Sequence, residues 1–125
     1  MRLALFFALV VAAFLAFRWF TSGGETEAPE TAVSAIAAGA PVIDVRTDDE
    51  FASGHVAGAR HVNVFDPDFE AKVDDLDRDQ TVYVYCASGT RSGRAASVLE
   101  GMGFERVVNA GGLSDLQRAG AEVVR

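Results

Sequence analysis

The sequence predicts an α/β fold in which a mainly parallel central sheet is flanked by helices. From residue 31 onward, short strand patterns alternate with short helix patterns, which is typical of helices that connect parallel strands. Residues 81–85 form an unbroken run of β-favouring residues, as expected of a central strand that is covered on both faces. Thr47 and Glu50 have the spacing of a capping box directly after a strand pattern. These observations indicate one α/β domain over residues 31–125.

The individual elements follow from local apolar patterns and from start and stop signals. Strands are predicted at residues 42–45, 61–64, 81–85 and 106–109. Helices are predicted at residues 32–38, 47–54, 66–73, 92–102 and 113–119. Gly39 followed by Pro41 ends the first helix, and Gly101 or Gly103 ends the fourth.

The composition limits the partners that the protein can have. The chain has 125 residues and a formal net charge of −7, and Lys72 is its only lysine. Proteins that bind nucleic acids normally present a basic surface, so we expect no nucleic-acid partner. His55 and His61 match no metal-ligand spacing, and the acidic run at residues 75–79 lacks the glycine and the glutamate of a calcium loop. We therefore expect neither a metal site nor a cofactor.

The N-terminal region has the composition of a membrane anchor or an export signal. Residues 3–17 are uncharged and almost wholly apolar, and Arg2 precedes them. Arg18, Trp19 and Phe20 follow as a group suited to a membrane interface, which favours an anchor at residues 1–20 over a cleaved signal. A polar, acidic linker is then predicted at residues 21–30. Positive charge before the apolar run favours a domain on the periplasmic or extracytoplasmic side of the membrane.

The single cysteine is the strongest candidate for chemistry. Cys86 can form no intrachain disulfide, and a lone cysteine is most often a small buried hydrophobe. This one, however, lies between a predicted strand and a predicted helix, where the positive end of the helix dipole favours a thiolate over a thiol. Ligands of parallel sheets bind at this carboxyl edge of the strands. We therefore predict that Cys86 is a nucleophile.

The residues that follow the cysteine have the properties of an anion-binding loop. Gly89 allows a positive φ and a close approach of a ligand to the backbone. Ser88 and Thr90 provide hydroxyl donors, and Arg91 provides a fixed charge with several N–H donors. Arg94, one helical turn further along, adds positive potential.

Four separated groups of residues make the globular part similar to rhodanese-like domains. They are Ile43-Asp44-Val45-Arg46 with Glu50-Phe51, Gly54-His55-Val56-Ala57-Gly58-Ala59, Tyr85-Cys86-Ala87-Ser88-Gly89-Thr90-Arg91-Ser92, and Gly111-Gly112-Leu113. The resemblance covers residues 31–125 and is closest to the small single-domain form. It implies a three-layer fold and a thiosulfate sulfurtransferase, in which the loop cysteine becomes a persulfide and passes its outer sulfur to a nucleophile.

The resemblance also implies roles for individual residues. Cys86 corresponds to the catalytic nucleophile of the family. The loop that binds the persulfide and the anionic end of the donor corresponds to Ala87, Ser88, Gly89, Thr90 and Arg91. The positions that mainly brace this loop and the neighbouring turn correspond to Asp44, Arg46, Glu50 and His55. The implied partners are a small sulfur donor such as thiosulfate and a thiophilic or protein thiol acceptor.

Two alternative functions fit the residues less well, and one residue departs from the family pattern. Cysteine phosphatases place an arginine six residues after the cysteine, whereas here Arg91 is the fifth residue and Ser92 the sixth, so the loop is small for a phosphoryl group. The other alternative is a membrane-tethered rhodanese-fold protein that relays sulfur or binds a partner without fast small-molecule turnover. Leu116 stands where the family often has tryptophan, which concerns the packing of the last helix.

Overall fold

The computed structural model describes residues 23–125, and the predicted anchor at residues 1–20 lies outside them. Among the described residues, no helix has the length and apolar character needed to cross a membrane. The strands are Glu25–Thr26 (β1), Val42–Asp44 (β2), His55–Val56 (β3), Arg60–His61 (β4), Val82–Cys86 (β5), Val107–Gly112 (β6) and Val123–Val124 (β7). The helices are Pro29–Ala37 (α1), Asp48–Ser53 (α2), Phe69–Val73 (α3), Thr90–Gly101 (α4) and Leu113–Arg118 (α5).

Five of the strands form one parallel sheet in the order β1-β6-β5-β2-β4. β5 lies in the middle of this sheet, and all five of its residues are buried. The predicted α/β fold with a mainly parallel central sheet is therefore confirmed. β3 and β7 form a separate antiparallel pair.

Side chains of the central strand alternate between two apolar cores, because successive residues of a strand point to opposite faces. Val82, Val84 and Cys86 belong to the core that is shared with α3 and α4. Tyr83 and Tyr85 belong to the core that is shared with α1 and α5. The chain thus forms three layers, and Cys86 ends β5 on the side that faces α4.

Two local sequence features have clear structural counterparts. The Thr47 hydroxyl oxygen accepts the Glu50 amide at 3.3 Å, and a Glu50 carboxylate oxygen accepts the Thr47 amide at 3.3 Å, so the predicted capping box begins α2. Leu116 is fully buried in the core between the sheet and α5. The aliphatic side chain therefore packs into the core at the position where the family often has tryptophan.

The structure differs from the predicted linker at residues 21–30. β1 pairs in parallel with β6, and α1 begins at Pro29 rather than at residue 32. Arg106 holds this edge of the sheet, with its guanidinium 2.8 Å from a Glu25 oxygen and 2.5 Å from a Glu27 oxygen. Two of the three acidic residues of the predicted linker are thus ion-pair partners of a distant arginine, which local composition does not reveal.

The second predicted strand is shorter than expected. Only Arg60–His61 of this region pairs as a strand, and the Val62 and Val64 amides donate to the carbonyls of Asp44 and Val45 at 3.0 and 3.1 Å. The chain therefore keeps contact with β2 as it passes over the carboxyl edge of the sheet.

Candidate active site

The end of β5 and the start of α4 enclose the thiol of Cys86 in a tight loop. Gly89 precedes α4 with a φ of +94°, and its amide donates to Cys86 Sγ at 3.0 Å. Ser92, in the first turn of α4, has its hydroxyl oxygen 3.4 Å from Sγ. Cys86 has 0% of its surface exposed. The thiol therefore lies inside the loop, against the amino end of a helix of 12 residues.

Two opposing influences set the pKa of Cys86. Burial raises the pKa of the Cys86 thiol, whereas hydrogen bonds from the Ser92 side chain and from the backbone amides of Ser92, Ser88 and Gly89 lower it. The hydrogen bonds outweigh burial, so the pKa lies below its ordinary value. Cys86 is thus more readily ionised than an ordinary cysteine, which is what a sulfur nucleophile requires.

Asn109 on β6 fixes the shape of the loop, although it is not among the residues predicted from the sequence. Its side-chain N–H donates to the Gly89 carbonyl at 2.9 Å, and its Oδ1 accepts the Ser92 hydroxyl at 2.7 Å and the Gly111 amide at 3.1 Å. The Ser92 hydroxyl has one proton and two nearby acceptors, Asn109 Oδ1 and Cys86 Sγ. The signal that could have found Asn109 is a polar residue that interrupts the apolar pattern of a predicted strand.

The double glycine at the end of β6 has a steric role at the same loop. Gly112 is aligned with Cys86 in the sheet, and a Cβ at this position would lie 2.3 Å from the Ala87 carbonyl oxygen. No side chain fits in that space without a shift of the backbone. At Gly89 the space is less tight, since an added Cβ would lie 3.4 Å from Gly111 Cα, but the φ of +94° favours glycine there.

Arg91 is paired with a carboxylate across the opening of the loop. Its two terminal nitrogens donate to the two carboxylate oxygens of Glu50 at 2.6 and 2.9 Å. The hydrogen bond from Arg91 lowers the pKa of Glu50 to about 2, and hydrogen bonds from Thr47 act in the same direction. Burial acts in the opposite direction. Glu50 is therefore ionised at neutral pH, and its charge offsets that of Arg91. The predicted contact of Arg91 with an anion stays a prediction.

A buried network beneath the loop joins β2, β5 and the turn after α2. The Asp44 carboxylate is fully buried, and it accepts the Arg46 guanidinium at 2.6–3.0 Å and the Tyr85 hydroxyl at 2.6 Å. Arg46 also donates to the Gly54 carbonyl at 2.6 Å, and Tyr85 accepts the Val56 amide at 3.0 Å. Burial and the neighbouring carboxylate raise the pKa of Tyr85. This network braces the turn next to Glu50.

The two histidines contact backbone carbonyls. His55 Nδ1 lies 2.9 Å from the Phe51 carbonyl oxygen, and His61 Nε2 lies 2.7 Å from the Arg46 carbonyl oxygen. A carbonyl only accepts, so each of these ring nitrogens carries a proton. Both rings also stack on Phe51, with centroids 3.7 and 4.5 Å away. These contacts fix α2 and its neighbours.

The remaining predicted loop residues lie at the surface above the thiol. Ala87, Ser88 and Thr90 are exposed, and the Ser88 hydroxyl is 3.5 Å from that of Thr90. The structure therefore brings all the predicted loop residues around one buried sulfur atom. It also adds Ser92 and Asn109 to the site.

Comparison with known proteins gives a consistent family assignment. The family profile described as "Rhodanese-like domain" matches residues 28–119. Thiosulfate sulfurtransferase PspE of Escherichia coli is 38% identical over 74 residues, which are 59% of this chain and 71% of that protein. Thiosulfate sulfurtransferase GlpE of Stutzerimonas stutzeri is 37% identical over 91 residues, which are 72% of this chain and 81% of that protein.

Solved structures agree with these sequence relationships. A rhodanese-related protein from Thermoplasma volcanium has a TM-score of 0.66 and 28% identity, and the match covers 80% of this chain and 97% of that chain. A structure described as a rhodanese with anions, from Escherichia coli, has a TM-score of 0.59 and 34% identity, covering 68% of this chain and 96% of that chain. Sequence and structure thus point to the same family, and the relatives support sulfurtransferase activity.

Proposed function

The chain belongs to the rhodanese-like domain family, and on this premise we propose that it transfers sulfane sulfur from a donor to a nucleophilic acceptor through a persulfide on Cys86. The observation that carries this proposal is the buried Sγ, which accepts the Gly89 amide at 3.0 Å at the amino end of α4. That environment favours an ionised sulfur over a neutral one. Thiosulfate is the proposed small donor, because the relatives PspE and GlpE are named thiosulfate sulfurtransferases.

The first half of the proposed reaction loads the enzyme. The Cys86 thiolate attacks the outer sulfur of thiosulfate, and a bond forms between Sγ and that sulfur. The sulfur–sulfur bond of thiosulfate breaks at the same time, and sulfite leaves with the bonding electron pair. Hydrogen bonds from the amides of Gly89 and Ser88 lower the pKa of the Cys86 thiol. The same amides stabilise negative charge on the sulfur during this step.

The second half regenerates the enzyme. A nucleophilic acceptor, such as cyanide or a thiolate, attacks the outer sulfur of the persulfide. The bond to Sγ breaks, its electron pair returns to Cys86, and the acceptor leaves as thiocyanate or as a new persulfide. No oxidant or reductant is consumed, because sulfane sulfur moves without a change in oxidation state.

The opening of the loop contributes to donor binding in this proposal. Ala87, Ser88 and Thr90 are exposed around the buried sulfur, and their polar groups are available to the sulfonate end of a donor. Arg91 lies at the same opening, and its guanidinium can contact this end while it keeps one bond to Glu50.

Steady-state kinetics with thiosulfate and cyanide tests the reaction. We expect thiocyanate and sulfite as products, and parallel lines when the initial rate is measured at several concentrations of both substrates. Intact-mass measurement after thiosulfate treatment should show one added sulfur atom, which cyanide then removes. Intersecting lines, or an unchanged mass, would contradict a covalent sulfur carrier.

We further propose that the apolar run at residues 3–17 places the domain on the extracytoplasmic side of a membrane. This proposal is supported by the position of Arg2 before that run, since positive charge tends to stay in the cytoplasm. Alkaline phosphatase fused after Arg125 should then be active in cells. Activity of a cytoplasm-only reporter at the same position would place the domain inside.

A further inference from the structure

Arg91 supplies no net positive charge at the active-site opening. Arg91 shares both terminal nitrogens with the Glu50 carboxylate, so the pair is neutral as a unit. The whole chain carries a formal charge of −7, which repels a doubly charged anion such as thiosulfate at long range. A donor of that charge needs a local positive group that is not already neutralised.

Arg94 meets this requirement beside the cysteine loop. Arg125 also forms no carboxylate ion pair among the described residues, but it lies in a cleft lined by the carboxylates Asp49 and Glu50. Arg94 is exposed, lies one turn after Arg91 on the same face of α4, and forms no ion pair with a carboxylate in the described part of the chain. The basic side chains that do form such pairs there are Arg46, Arg60, Lys72, Arg78, Arg91, Arg106 and Arg118. The positive charge of Arg94 therefore reaches solvent without an adjacent negative charge.

An aromatic ring holds this arginine beside the opening. The Arg94 guanidinium carbon lies 5.3 Å from the centroid of the Phe65 ring, a distance at which the face of the ring attracts this cation. Phe65 is 56% exposed and follows Val64, whose amide donates to the Val45 carbonyl just beyond the end of β2. The pair thus lies at the carboxyl edge of the sheet, which is the edge where Cys86 ends β5. Stacking on a ring limits the orientations of the arginine without neutralising its charge.

We propose that Arg94 supplies the unpaired positive charge that draws the anionic sulfur donor to the opening, whereas Arg91, held by Glu50, shapes the loop and contacts the donor only after it has arrived. This inference rests on the proposed function, because it concerns the first half of the sulfur transfer. Arg94 acts on the approach of the donor and not on the reacting sulfur atoms. Its removal therefore affects the capture of a charged donor and leaves the later transfer to an acceptor without net charge unchanged.

The test compares the two half-reactions in an Arg94→Gln variant of the full chain. In a ping-pong reaction, kcat/KM for thiosulfate reports the loading step, and kcat/KM for the acceptor reports the unloading step. With cysteamine as the acceptor, whose reactive thiolate form has no net charge because its amine is protonated, we expect kcat/KM for thiosulfate to fall about three- to ten-fold, and that for cysteamine to stay unchanged. The ratio of the wild-type to the variant kcat/KM for thiosulfate should also shrink with added salt, because salt screens the charge of Arg94.

Arg78→Gln is the control, because it removes the same formal charge from another arginine that lies over an aromatic ring, although Arg78 is also paired with Asp74. Arg78 lies over the ring of Phe104, 4.4 Å from its centroid, in the segment that leads into the amino end of β5 and so at the opposite edge of the sheet. We expect this variant to keep the salt dependence of the wild type. Equal losses in both variants, or an Arg94→Gln variant with an unchanged salt dependence, would overturn the inference. If the wild-type protein itself gains no sulfur from thiosulfate, the proposed function fails instead.

Discussion

Glu50→Gln separates the electrostatic role of Glu50 from its structural one. Glutamine is tolerated at this position of a capping box, so the variant keeps the bond to the Thr47 amide and the start of α2. It loses the negative charge that faces Arg91. The change therefore tests how much the ion pair across the loop stabilises the fold.

The size of the effect follows from the pKa of the carboxyl. A decrease from 4.5 to about 2 corresponds to a ceiling of about 3 kcal/mol. The side chains of Arg91 and Glu50 are 24% and 33% exposed, so solvent screens the pair, and we expect about 1–2 kcal/mol. Because the pKa is lowered in the folded state, this stabilisation is fully present above pH 4.5 and is lost as the pH falls through about 2.

Urea unfolding at a series of pH values measures this prediction. We expect Glu50→Gln to be less stable than the wild type at pH 7, and the difference to shrink as the pH falls below 4.5. Asp75→Asn is the control, since Asp75 also binds an arginine, Arg60, through both oxygens, but its side chain is 65% exposed. The free energy of unfolding of Asp75→Asn should differ little from that of the wild type. A difference that does not depend on pH, or an equal loss in both variants, would refute the reasoning.

Further predictions concern the thiol and its loop. Cys86→Ser should abolish thiocyanate formation while thermal melting stays close to that of the wild type, because the two side chains have similar size. Arg91→Ala should lower kcat/KM for thiosulfate about 10- to 100-fold, and Arg91→Lys should recover part of it. Ser92→Ala should raise the pKa of Cys86 and slow its alkylation at pH 6 about three- to five-fold, whereas Ser97→Ala, on the same helix but bonded to a backbone carbonyl, should not. Gly112→Ala should lower stability by about 1–3 kcal/mol in urea unfolding, because its Cβ meets the Ala87 carbonyl.

The parts of the fold that the sequence predicted are those that depend on local pattern. The central strand Val82–Cys86, the capping box at Thr47 and the helix after the cysteine loop follow from the order of a few neighbouring residues. β1, β3 and β7 were missed because each has two residues, and two residues cannot show a periodic pattern. Their pairing depends on partners that are distant in the sequence.

The same distinction applies to the candidate site. Cys86 and its loop were recognisable because the nucleophile and its amide donors are adjacent in the sequence. The pairing of Arg91 with Glu50 was not predicted, since 41 residues separate them and only the fold brings them together. Asn109 was missed for the same reason, because its bonds to Ser92 and Gly89 span 17 and 20 residues.

The contact between Gly112 and Ala87 has a consequence for the order of folding. The loop around Cys86 is built from β5 and α4, but its shape is completed by β6, which is made later in the chain. Until β6 docks, neither Asn109 nor the close backbone contact at Gly112 is present to hold the amides around the thiol. A partly folded chain would therefore carry a cysteine with the reactivity of a free one. The lowered pKa of Cys86 thus depends on the docking of β6, and so on a domain that has finished folding.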